Sequence, residues 1–141
     1  MVDNVTSVDM RNLMVAAGIG AAGGVADWGI FIGHEPDTPN NCIVIYDTPG
    51  DIPNPKWLLD FPRFQVRCRG LDYLETLGKA EAIKSLLLGL PSQDIGDTRY
   101  VGIYVTMDTF HLETDSKQRS IFVNSWRVIR EPSVGINRRP L

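Results

Sequence analysis

The sequence predicts an α+β domain: a mostly antiparallel sheet of about five strands with two helices packed on it, in the order α-β-β-β-α-β-β. Three observations lead there. Residues 63–69 alternate between arginine or glutamine and apolar side chains, the period of a half-buried strand. Leu74, Leu77, Ala80, Ile83, Leu87 and Leu90 then recur at helical spacing as one stripe. Two further alternating segments, 99–109 and 120–130, exceed the usual strand length of about five or six residues.

The first helix is expected from Val5 toward Val25, with Ser7 or Asp9 placed to cap its free amides. Gly18, Gly20, Gly23 and Gly24 each cost about 1 kcal/mol in a helix, so it should stop between Ala17 and Ala22. Segments 28–32 and 41–47 read as a strand hairpin joined by the turn-rich stretch His34 to Asn40. Cys42 to Tyr46 is apolar on both parities, which suits a strand covered on both faces. Segment 48–55, with three prolines and a glycine, is a loop.

In the next strand Phe64, Val66 and Cys68 point inward, and Arg63, Gln65, Arg67 and Arg69 outward. Gly70 breaks the strand, Asp72 caps the second helix, and Gly89 with Pro91 ends it. After a polar linker, Val101, Ile103, Val105 and Met107 share one parity of the first long strand. Phe122, Trp126 and Val128 share one parity of the last strand, with Ile121, Val123 and Ile129 on the other. Segment 114–117 forms the hairpin tip between them. Residues 1–131 read as a single domain and 132–141 as an irregular tail.

A chain of 141 residues needs no covalent staples, since a domain of this size buries about 68–70% of its unfolded surface. A net charge of −3 argues against a nucleic-acid binder, whose signature is a basic patch. The arginines of 63–69 are the local exception. Cys42 and Cys68 read as reduced strand residues, because a disulfide framework or metal site needs more cysteines or tighter spacing. No apolar run reaches the ~18 residues of a membrane span, and the start lacks the order of a signal peptide. A soluble intracellular product is expected.

No chemistry of catalysis stands out. Gly18-Ile19-Gly20-Ala21-Ala22-Gly23 matches a dinucleotide fingerprint, but that motif follows a strand and opens a helix, and here the order is inverted. His34 and His111 are far apart in sequence. His111, Glu113 and Asp115 share one strand parity without forming a compact ligand set. Neither a cofactor nor a metal is expected, and no serine or cysteine sits in a nucleophile motif.

The remaining features concern association. Trp57, Leu58 and Leu59 in a proline-rich loop either fold back on their own sheet or dock on a neighbouring subunit, since each is worth about 1.5–3 kcal/mol when buried. Arg63, Arg67 and Arg69 are either interface salt-bridge donors or a solvated strand face. Asp115, Lys117 and Arg119 at the hairpin tip complete the interface candidates. Long strands leave edges that must be protected or paired, and copies that pair head to tail can close into a ring.

Phe64-Gln65-Val66-Arg67-Cys68-Arg69-Gly70, a helix ending Leu86-Leu87-Leu88-Gly89-Leu90, and a last strand Ile121-Phe122-Val123-Asn124-Ser125-Trp126-Arg127-Val128 resemble phage minor capsid and tail terminator proteins. The resemblance covers roughly residues 61–131. It implies an α+β structural virion protein, not an enzyme, assembled in the host cytoplasm and located at the neck of a long-tailed phage. The expected form is a homo-oligomeric ring, a hexamer, that caps the tail tube protein, ends its polymerisation and meets the head-tail connector or stopper protein. DNA would pass through the bore without specific binding. The alternative is a head-completion or neck adaptor protein on the portal side. Segments 48–60, 115–118 and 133–141 are expected to be mobile before assembly.

Overall fold

The computed structural model describes residues 5–24, 27–53, 56, 58–96 and 98–131. Helix α1 (Thr6–Ala16) is followed by strands β1 (Ala21–Ala22), β2 (Gly29–Ile32), β3 (Cys42–Thr48) and β4 (Arg63–Gly70). Helix α2 (Tyr73–Leu87) precedes β5 (Gln93–Ile95), β6 (Thr98–Thr114) and β7 (Ser120–Glu131). The fold is α+β, but among the described residues the sheet has seven strands in the order β1-β2-β3-β4-β7-β6-β5, more than the five expected. β1 and β5 escape sequence reading because two or three residues show no period.

The expected hairpin of β2 and β3 is also corrected: the two strands run parallel, Gly29 opposite Cys42 through Ile32 opposite Ile45. A parallel pair needs a return path, and residues 33–41 supply it as a strap across one sheet face. Two arginines bind this strap. Arg69 donates to the carbonyls of Asp37, Pro39 and Asn40 at 3.4, 2.8 and 3.2 Å. Arg119 donates to the Asp37 carbonyl at 2.8 Å. Cys42, Arg69 and Ile121 form one cross-strand row on that side, and all three are buried.

Both helices pack on the other face. Met10 and Met14 of α1 and Ala80, Ile83 and Leu87 of α2 bury against Ile43, Ile45, Phe64, Val66, Phe122, Trp126 and Val128. Asp72 caps α2 as expected, accepting from the Leu74 amide at 3.0 Å. Neither Ser7 nor Asp9 caps α1, whose N-cap is Val5. Their side chains turn inward instead, Ser7 donating to Asp47 at 2.7 Å and Asp9 accepting from the Tyr100 hydroxyl. The apolar stripe of α2 is also rephased. Leu74 is 73% exposed, while Thr76, Ala80, Ile83 and Leu87 form the inner face. Small side chains at Thr76 and Ala80 let the helix approach the sheet closely, and Leu74 lies two residues, about 200°, around from Thr76.

The glycine-rich segment has a packing explanation. A Cβ on Gly20 would lie 2.1 Å from the Trp28 carbonyl oxygen, so only glycine permits this approach of the chain after α1 to the start of β2.

β6 pairs with β7 over most of its length, with register shifts at four places between Tyr100 and Thr114. Each shift inserts a residue and turns the following side chain to the opposite face. Hence Met107, expected on the parity of Val105, pairs with Ser125 on the strap-side face, while Val105 pairs with Trp126 on the helix side. His111 and Glu113, expected on one parity, are likewise split, opposite Phe122 and Ile121.

A buried polar network fixes this curvature. Trp126 Nε1 donates to Asn124 Oδ1 at 2.7 Å, and Asn124 Nδ2 donates to Thr109 Oγ1 at 3.2 Å and to the Ala80 carbonyl at 3.4 Å. Replacing Asn124 by alanine leaves the buried indole N–H without its acceptor, a loss of about 1–3 kcal/mol. We expect the unfolding free energy of Asn124→Ala to fall by that amount, read by Trp fluorescence as a lower urea midpoint with an unchanged slope.

Candidate assembly surface

The open edge of β6 carries the longest run of exposed apolar side chains on one strand among the described residues. β5 covers that edge only from Thr98 to Tyr100, so from Gly102 to Thr114 its outer backbone groups have no strand partner among the described residues. The side chains along it are large: Tyr104, Val105, Met107, Phe110 and Leu112 are all exposed. Because of the bulges, Tyr104, Met107 and Phe110 fall on one face, opposite Arg127, Ser125 and Val123. Leu88, Leu90, Val101, Ile103 and Val105 line an open groove of about 550 Å³ between the end of α2 and the same strand.

The sequence-predicted interface residues separate into three groups. Arg69 and Arg119 are buried and turned inward, holding the strap to the sheet. Arg119 also meets Asp115 at 2.8 Å and Asp37 at 3.5 Å, and Lys117 meets Asp37 at 2.5 Å. The hairpin tip is therefore tied to the strap, through Asp115, Lys117 and Arg119 together.

Arg63 and Arg67 lie half-buried in the strap-side face. Arg63 pairs with Asp51 at 3.1 Å and Arg67 with Glu35 at 3.4 Å. Sequence reasoning missed Arg127, which stands directly opposite Arg63 and meets the second oxygen of Asp51 at 3.2 Å. Its outward parity on the last strand was the available signal. Of the apolar triplet, Trp57 lies outside the described residues; Leu58 and Leu59 are half-buried.

The electrostatics of the tip are coherent. The Lys117 ammonium, hydrogen-bonded to Asp37, holds that carboxyl below the usual carboxylate range. Burial pushes Asp115 up, but the amides of Arg119 and Lys117 and the Arg119 guanidinium outweigh it and leave it lowered. Cys42 and Cys68 are free, buried thiols, and burial raises Cys42 to about 11, which keeps it protonated and inert. Among the described residues no group of three or more His, Cys, Asp or Glu is placed to hold a metal. No described helix is long and apolar enough to cross a membrane.

A bulged, open-edged strand and a sheet face lined by arginines make surfaces, which is the equipment of a structural protein. Residues 5–132 match the family described as bacteriophage tail terminator protein, and the chain belongs to that family. It is a structural virion protein of the phage tail. No curated protein sequence matches it. Among solved structures, a chain from the virion of a native gene transfer agent (GTA) particle shares the fold, with a TM-score of 0.62 at 12% identity. The similarity covers 89% of this chain and 94% of that one.

The lowered carboxyls make the tip acid-sensitive. Their folded values lie below the unfolded value of about 4, so the stabilisation is complete above that pH and fades as pH falls through the folded values. We expect thermal midpoints recorded from pH 7 to pH 2 to drop more steeply for the wild type than for Asp37→Asn/Asp115→Asn. Parallel curves would remove the tip from the acid response.

Proposed function

We propose that the protein assembles into a hexameric ring that caps the tail tube, ends its polymerisation and joins the tail to the head-tail connector or stopper protein. The open edge of β6 carries this reading. An edge of this length and apolarity invites pairing with another chain, and natural proteins otherwise cover or interrupt such edges. In this reading its contacts are heterologous, and heterologous contacts close into rings when the rotation allows. Burying Met107 and Phe110, already partly covered, contributes about 1 kcal/mol each per interface, multiplied around a closed ring.

The family match favours the terminator over the neck adaptor on the portal side. In this reading DNA passes through the bore without specific binding, and the ring occupies the virion neck after assembly in the host cytoplasm. The loop bearing Trp57, Leu58 and Leu59 and the arginines Arg63 and Arg67 are interface candidates. Arg69, Asp115, Lys117 and Arg119 act from within the protomer by fixing the strap and the hairpin.

Phe110→Glu and Met107→Glu place charge on the stripe without touching the core. Native mass spectrometry, alone and with tail tubes, should show the wild type as a ring and both variants as folded monomers with unchanged circular dichroism. Rings of unaltered stability in both variants would refute the role of this edge.

A further inference from the structure

β4 and β7 set Arg63 directly opposite Arg127, and Arg67 follows two residue positions beyond Gln65 on the same face. Like charges in direct cross-strand register repel. Asp51, on the exposed 49–53 segment, relieves this by placing one carboxylate oxygen near each guanidinium, at 3.1 and 3.2 Å. Glu35 approaches Arg67 at 3.4 Å, yet neither Arg67 Nε nor Glu35 Oε1 forms a hydrogen bond. The Nε atoms of Arg63 and Arg127 are likewise buried without an acceptor. Among the described residues two carboxylates therefore serve three guanidiniums, which leaves excess positive charge on a face where the Arg63 and Arg127 side chains stay partly exposed.

The matching acceptor lies elsewhere on the chain. From Tyr100 to Ser116 there are three acids and no lysine or arginine. Two of the acids are engaged, Asp108 by Lys84 and Asp115 by Arg119. Glu113 is exposed and makes no ion pair among the described residues. It occupies the same sheet face as the arginines, opposite Ile121. Ile121 and Arg127 are six positions apart on β7, about 20 Å, so within one protomer Glu113 stands far from the facing Arg63–Arg127 pair.

We infer that the Arg63–Arg67–Arg127 row receives Glu113 of a second copy, and that Asp51 fills the site until that copy arrives. The inference rests on the assembly reading and adds its polar half: the apolar stripe supplies affinity, and the ion pairs supply orientation and rate. Asp51 holds the two facing arginines in place in the free protomer, so the neighbour meets a preformed fork instead of two disordered side chains. Competition from Asp51 also weakens premature pairing. The partner is chosen by charge complementarity: excess guanidinium charge on the central β4–β7 part of the face and an unpaired carboxylate on the β6 edge.

The test is charge exchange read by sedimentation velocity in a protein-concentration series. Arg127→Glu and Glu113→Arg should each raise the half-assembly concentration by about tenfold, and the double variant should return most of the way to wild type. Single variants that assemble like wild type, or a double variant no better than either single one, would overturn the inference while leaving the Phe110 and Met107 results untouched. A second arm reads the site without assembly. Hexaglutamate should bind Asp51→Asn roughly three- to tenfold more tightly than wild type, and adding Arg63→Gln should abolish the gain. No gain in Asp51→Asn overturns the capping role. Duplex DNA outcompeting hexaglutamate at equal charge concentration would assign the row to nucleic acid and overturn the second-copy assignment.

Discussion

The Trp126–Asn124 hydrogen bond is the constraint on which the rest of the molecule depends. β7 lies between β4 and β6, so its side chains decide how both neighbours sit. Asn124 is fully buried on the helix side, where an unsatisfied amide is expensive. Its acceptor oxygen is claimed by Trp126, and its amide hydrogens reach Thr109 on β6 and the backbone of α2. Those bonds link three elements at one point. They also select the register in which Thr109 faces inward, and that register requires the irregular pairing of β6.

From this bulged pairing follows the character of the assembly surface. A regular strand would place Met107 with Val105 against the helices. The bulges instead turn Tyr104, Met107 and Phe110 to the strap side and strengthen the local twist. The same irregularities, with Asp108 and Glu113, keep the open edge from being a flat template for indiscriminate pairing. An edge shaped in this way favours a partner of matching curvature and charge, such as another copy, over random aggregation.

Much of this was legible in the sequence, and the failures have physical causes. Strict alternation in Arg63 to Arg69 placed Phe64, Val66 and Cys68 in the core correctly, because β4 is paired on both sides without a bulge. The two long strands and the Asp72 cap were legible for similar local reasons. The parallel pairing of β2 and β3 was not, since hydropathy carries no strand direction and the strap is held by arginines distant in sequence. Leu74 misled because leucine spacing was followed where Thr76 and Ala80 define the buried side. At the site, the arginine row was visible but its partition was not: period two cannot tell Arg69, sealed under the strap, from Arg63, shared with Arg127 and Asp51.

In the proposed assembly, that partition lets one sheet face serve both folding and association. At the Arg69 end, the strap replaces water with backbone carbonyls, which satisfy the guanidinium and exclude solvent. Breaking such a buried site is strongly destabilising, because it strands a charge or its acceptors. At the Arg63 end the partner is a carboxylate on an exposed loop, and pairs of this exposure are worth only about 0–1 kcal/mol. A weak contact is suited to exchange, and a strong one to holding shape. The permanent clamp fixes the direction of the hairpin, so little orientational entropy remains to be lost when an edge meets another chain. In the proposed assembly, the exchangeable pair lets the face change partners without altering the fold. Rigidity at one end of β4 and replaceability at the other are thus consequences of which arginine the strap happens to cover.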